Sequence, residues 1–148
     1  MQDSQSVSPV QRTPSIENPQ QLPRLHILPD PYSVCQITDP AGIPFADEFV
    51  FVGKTDDELS LVCRTASVPL RTIAREDGWS AIKIQGVLDF ALVGILSRIA
   101  SILAESEISI FAVSTYNTDY ILLKTVSLQT AKTALEANGY EVSTPDSF

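Results

Sequence analysis

The chain has 148 residues, a formal net charge of −8, and is 44% hydrophobic and 19% charged. That length holds one solid core or two small fused ones. The negative charge and the lack of any Lys/Arg run exclude non-specific binding to nucleic acid or anionic membrane, since both need clustered cations.

No apolar run reaches the roughly 18 residues of a spanning helix. The N-terminus lacks the basic start and apolar stretch of a secretory signal. A cytoplasmic location is therefore expected. Cys35 and Cys63 sit in strand-like apolar runs. Either a bridge or two buried thiols would fit there, and in the cytosol thiols fit better. There is no CxxC, and His26 is the single histidine. No metal site or cofactor is expected.

Residues 1–24 are rich in Gln, Ser and Pro and are expected to form a disordered tail, because they bury too little to offset the entropy of ordering. Order is expected from Leu25. LHIL reads as a short strand, broken by Pro29-Asp30-Pro31. YSVCQI follows, with Tyr32, Val34 and Gln36 on one face and Ser33, Cys35 and Ile37 on the other. After the loop TDPAGIPFADE, FVFV (49–52) and ELSLVC (58–63) form a hairpin around Lys54 to Asp57. Residues 68–76 are weakly patterned, and the connection is expected to end at Asp77-Gly78.

The second half starts at Trp79. WSAIKIQ alternates, with Ser80, Ile82 and Ile84 on one face. Gly86 ends the strand and Asp89 suits an N-cap. Leu92, Ile95, Leu96, Ile99, Ile102 and Leu103 then form a helical stripe. Strands are expected at Ile108–Thr115 and Tyr120–Thr125. Ser127 caps a second helix, Gly139 stands just past its end, and a short strand follows at 140–142. The order β-α-β-β-α-β is ferredoxin-like: an α+β fold with a four-stranded antiparallel sheet and both helices on one face. The first half, 25–78, fits a degenerate copy of the unit at 79–143, although no residue-level repeat between them stands out.

Catalysis is not expected. A Ser or Cys nucleophile needs a base, and His26 lies at the start of the first strand. Asp56-Asp57-Glu58 reads as a solvated turn, and neither GxxxxGK[ST] nor GxGxxG occurs. Two features point to ligand binding instead. The helix start near Gly94 offers free amide hydrogens and a positive dipole end to a carboxylate. A glycine there also needs a reason, either close approach of a ligand or tight packing. The tip STYNTD (114–119) offers the hydroxyls of Thr115 and Tyr116, the Asn117 amide and the Asp119 carboxylate. Taken alone, such a tip is better accounted for by plain turn chemistry. Together, an acid for an ammonium and a helix end for a carboxylate are what a free amino acid requires.

At these residues the chain resembles a known family. VGILSRIASILAESEISI (93–110) is similar to the ACT-domain signature. GVLDFALVGIL with ISIFAVSTYNTDYILL, and FVFVGKTDDELSLVC in the first half, resemble small tandem-ACT proteins. These are similar to the cytosolic arginine sensors of animal growth signalling. The resemblance covers about 25–143. It implies two ACT-like subdomains, a homodimer, and a non-catalytic regulatory module that binds an amino acid. The alternative it leaves is a structural or regulatory subunit that serves a partner enzyme without a ligand of its own. By the same resemblance the ligand contacts fall on Val93, Gly94, Ile95, Thr115, Tyr116 and Asp119. Phe90 and Asn117 are added on chemistry. Val93 and Glu107 replace the family's proline and glycine. Two units against the sensors' four imply that a second copy completes the site. Aspartate kinases carry ACT domains too, but no kinase sequence is present here.

Overall fold

The computed structural model describes residues 15–16, 22–88 and 94–145. Asp89, Phe90, Leu92 and Val93 lie outside the described residues. The strands are β1 (Ser15–Ile16), β2 (Leu25–Ile27), β3 (Tyr32–Ile37), β4 (Val50–Lys54), β5 (Leu59–Arg64), β6 (Ala74–Ile84) and β7 (Val87–Leu88). Helix α1 (Ile95–Glu105), β8 (Ile110–Ser114), β9 (Asp119–Lys124), α2 (Leu128–Ala137) and β10 (Val142–Ser143) follow.

Strand β6 belongs to both halves. Its first part pairs with β3, in a sheet ordered β6-β3-β5-β4. Its second part lies in a sheet ordered β10-β2-β6-β9-β8. Asp77-Gly78, expected to end a connection, instead lies inside this one strand of 11 residues. Both arms belong to one eight-stranded sheet that forks at β6, and the β3–β6 pairing shifts register between Tyr32 and Val34, a bulge at the fork. Around it, the Ser33 hydroxyl donates to Asp77 Oδ1 at 2.6 Å and Arg75 Nε donates to the same oxygen at 2.9 Å. Polar anchoring of this kind makes a strand bend look like a turn in sequence.

The expected four-stranded antiparallel sheet is corrected in one respect. β10 does not reach β6, because β2 lies between them, parallel to β10 and antiparallel to β6. Leu25 and Ile27 thereby enter the core shared with α1 and α2. Pro29 and Pro31 then break the chain, and β3 continues along the same edge of β6.

Three apolar clusters result. Ile82, Ile84, Ile121 and Leu123 face Ile99, Ile102 and Leu103 of α1 and Ala131 and Leu135 of α2. A middle cluster is built from both sheets, with Tyr32, Phe49 and Val62 against Ala81 and Leu122. The Tyr120 ring meets Phe49 and Phe51 edge-on, at centroid distances of 5.5 and 5.7 Å. The third cluster, Cys35, Ile37, Leu61 and Cys63, is covered by Ile43 and Val68 rather than by helices. The two cysteines are buried and unbridged, and burial pushes the Cys63 thiol up to about 11. Arg64 pins the covering loop through two bonds to Asp47, of 3.0 and 2.7 Å, and the Ser67 hydroxyl donates to the same carboxylate. The Arg64 and Ser67 bonds hold the Asp47 carboxyl down at about 2.

The two halves contain a repeated hairpin that the structure brings out. VFVGKTDDELSLVCRTAS (50–67) and IFAVSTYNTDYILLKTVS (110–127) align without a gap, sixty residues apart, with Phe51, Thr55, Thr65 and Ser67 identical to their counterparts. Val50 pairs with Cys63 as Ile110 pairs with Leu123. Tyr32 opposes Arg64 as Trp79 opposes Lys124. Both hairpins end in a 3-10 turn, Thr65–Ser67 and Thr125–Ser127. The Ser33–Thr65 hydroxyl pair recurs as Ser80–Thr125, each at 2.8 Å. The first copy lacks both helices, and their absence hides the repeat from any comparison of whole units.

Candidate functional site

β8 is antiparallel to β9, and β9 to β6, so β6 and β8 end on the same side of the sheet. The tip between β8 and β9 lies there. In the chain, α1 follows β6 after β7. One bond joins the tip to β6. Thr118, only 4% exposed, donates its hydroxyl to the carbonyl of Ile84 at 2.6 Å. The tip is thereby tied to the last residue of β6, just before the chain leaves for α1.

Within the tip, the Ser114 hydroxyl donates to Asp119 Oδ1 at 2.5 Å. That bond fixes the half-buried carboxylate in orientation. The Thr115 N–H donates to the Thr118 carbonyl at 2.8 Å, the Thr115 hydroxyl donates to the same carbonyl at 3.0 Å, and Thr115 Oγ1 lies 3.3 Å from the Thr118 N–H. Thr115 thus closes its own turn. Tyr116 is 82% exposed and Asn117 is exposed.

Gly94 is the N-cap of α1, at φ 87°, and does not lie within the first turns of the helix as expected. Among the described residues a Cβ built there meets nothing within 4 Å, so none of them accounts for the glycine by packing. The left-handed conformation does. The first helical bond runs from the Arg98 N–H to the Gly94 carbonyl, which leaves the N–H groups of the opening turn without intrahelical partners. Ile95 packs its side chain against the helix-side core, so only its backbone is available to a ligand. Phe90 and Val93, the other expected contacts, lie outside the described residues.

Beside the end of β6, on the side away from the tip, Arg24, Gln85, Glu141 and Ser143 line a shallow cavity of about 280 Å³. Its rim holds an exposed Arg24–Glu141 ion pair at 3.0 Å. His26 Nδ1 lies 2.7 Å from Ser143 Oγ. Among the described residues no three His, Cys, Asp or Glu side chains are grouped to hold a metal ion. No described helix is long and apolar enough to cross a membrane.

Sequence reasoning missed Ser114 and Thr118. The signal was the repeat: sixty residues earlier Lys54 and Glu58 stand in their places, and Leu59 stands in place of Asp119.

A β-α-β-β-α-β order with both helices packed on one apolar cluster is that of an ACT-like α+β fold. The ACT-domain family profile matches residues 74–137. A second profile, described only as an N-terminal domain, matches residues 30–71. The second half of the chain carries an ACT domain. It is similar to the solved structure of protein Atu0741 from Agobacterium tumefaciens, with 30% identity and a TM-score of 0.75 over 84% of this chain and 94% of that one. A Vibrio cholerae protein of unknown function, a possible transport protein, is 21% identical with a TM-score of 0.61 over 77% of this chain and 88% of that one. The ligand-free regulatory subunit of aspartate kinase from Thermus thermophilus shares 10% identity and the fold, with a TM-score of 0.54 over 76% of this chain and 95% of that one. No curated protein matches closely.

Proposed function

We propose that this chain is a non-catalytic regulatory module that binds a free amino acid at the end of β6. The observation that carries this reading is the Asp119 carboxylate. It is oriented by Ser114 and stands on a tip tied to the strand that leads to the start of α1. An ammonium group would pair with Asp119, and a carboxylate would meet the N–H groups at Gly94 and Ile95, which have no intrahelical partners. Phe90, Val93, Thr115, Tyr116 and Asn117 would form the surrounding wall. Thr115 does so as backbone, because its hydroxyl closes the turn. The open side of the tip calls for a second copy of the chain, and we place the complete site in a homodimer. Ligand would then favour one arrangement of the two copies by its difference in affinity for each arrangement.

A thermal-shift screen against the twenty amino acids tests this reading. A true ligand at about 100 times its Kd adds roughly 2.7 kcal/mol. Asp119→Asn, which can still accept from Ser114, is expected to abolish that shift while leaving the unliganded melt unchanged. Flat curves across the panel would sink the sensor and leave a subunit that acts through a partner enzyme.

A further inference from the structure

The repeat supplies an internal control for the tip. What both hairpins share holds the fold, since the first copy has Leu59 where the second has Asp119. The turn bonds are shared: the Thr55 N–H donates to the Glu58 carbonyl at 2.9 Å, as Thr115 does to Thr118, and the Glu58 N–H bonds Thr55 Oγ1 at 3.3 Å. The Ser33–Thr65 and Ser80–Thr125 pairs are shared as well. The bond from Thr118 to Ile84 is not. Its counterpart Glu58 is exposed and accepts from Ser60 instead. Among the described residues only Ser33, Ser80 and Thr118 are buried polar side chains, and only Thr118 has no counterpart. A buried hydroxyl confined to the tip that carries Asp119 serves something the first tip does not do.

We propose that Thr118 is a positioning residue for the candidate ligand site. Its hydroxyl clamps the tip to the end of β6, so that Asp119 keeps a fixed position relative to that strand. The clamp makes the second tip, and not the first, the binding tip, with one ligand per chain. The proposal rests on the amino-acid reading above, so its test has one arm that needs no ligand.

In that arm, amide hydrogen exchange is followed in the unliganded full chain. Thr118→Val removes the hydroxyl at nearly constant volume. It is expected to speed exchange about tenfold both in the tip peptide (114–119) and in the peptide from Gln85 to Leu88, as loss of one buried hydrogen bond would. Exchange in Ile121 to Leu123 should stay as in the wild type. Thr118→Ser should restore both peptides, and Glu58→Ala in the first tip should change neither. In the second arm, each of the twenty amino acids is tested as in the screen above. Thr118→Val should cut the melting shift of any responding amino acid, and Thr118→Ser should keep it.

Unchanged exchange in either peptide overturns the clamp. So does a full ligand shift in Thr118→Val. Loss of the cooperative melt in that variant also overturns it, since the hydroxyl would then hold the fold rather than the site. A wild-type chain that responds to no amino acid defeats the sensor reading, while the exchange arm still decides whether Thr118 couples the tip to the strand.

Discussion

Glu107 sits in the left-handed region at φ 60°, where a non-glycine residue is strained. The turn explains why. After α1, the Glu107 N–H bonds the Ala104 carbonyl and the Ile108 N–H bonds that of Leu103. After α2, the Gly139 N–H bonds Glu136 and the Tyr140 N–H bonds Leu135. Both are the paired bonds of a Schellman ending, and Gly139 has φ 95° at the position equivalent to Glu107. The left-handed ending that Gly139 supplies after α2 is thus made after α1 without a glycine. Glu107→Gly is therefore expected to stabilise the chain by about 1 kcal/mol, net of the added freedom glycine brings to the unfolded chain. The thermal midpoint should rise by about 3 °C. A fall would mean that the Glu107 side chain contributes more than its backbone strain costs. Legibility at this scale was uneven. Gly139 was readable because a glycine after an apolar stripe has one common use. Gly94 was misjudged, because Asp89 offered a stronger cap signal ahead of it and a glycine at a cap looks in sequence like a glycine inside a helix. Ser127 does stand at the N-cap of α2, but its side chain makes no capping bond, since a 3-10 turn leads directly into the helix.

At the scale of elements, the strands were legible from alternation. Tyr32 and Val34 do face the middle cluster, and Cys35 and Ile37 the outer one. The α1 stripe holds from Ile95 to Leu103. The hairpin repeat was overlooked because its signature is sparse: Phe51, Thr55, Thr65 and Ser67 recur as Phe111, Thr115, Thr125 and Ser127, amid substitutions that share little beyond the buried run 61–63 and 121–123. The structure makes the two copies comparable as energies. Thr65→Val removes one partner of Ser33, whose hydroxyl still has Asp77. Thr125→Val removes the Ser80 partner at 2.8 Å, and Ser80 is only 7% exposed. A buried hydroxyl left without a partner costs about 1–3 kcal/mol, whereas one that keeps a charged acceptor costs about 1 kcal/mol or less. Urea titration is expected to rank Thr125→Val as the more destabilising change. Equal losses would show that Ser80 finds another acceptor when Thr125 is gone.

On the scale of the whole molecule, the order of strands in the sequence does not match their order in space. Pattern alone gave a unit from Trp79 onward that seemed able to close on itself, because nothing in LHIL says which sheet it joins. In the structure, β2 stands between β10 and β6, and β10 takes its pairing from β2. A fragment of residues 74–145 would contain the whole stretch matched by the ACT-domain profile, and both helices. It would lose Leu25 and Ile27, at 0% and 5% exposure, each contributing about 1.5–3 kcal/mol of burial. It would also lose Tyr32, Phe49 and Val62 from the far face of its sheet, leaving Ala81 and Leu122 open to water. Domains of this size are stable by only about 5–15 kcal/mol, and these losses approach that whole margin. Fragment 74–145 is therefore expected to show no cooperative urea transition by circular dichroism, while residues 22–145 unfold cooperatively. A cooperative transition in the shorter fragment would establish the C-terminal unit as an independent domain and reduce β2 to an accessory strand. If the fragment fails to fold, the two halves act as one body through β6 and β2. A ligand at the end of β6 would then bear on both sheets at once, since no boundary between them could absorb the change.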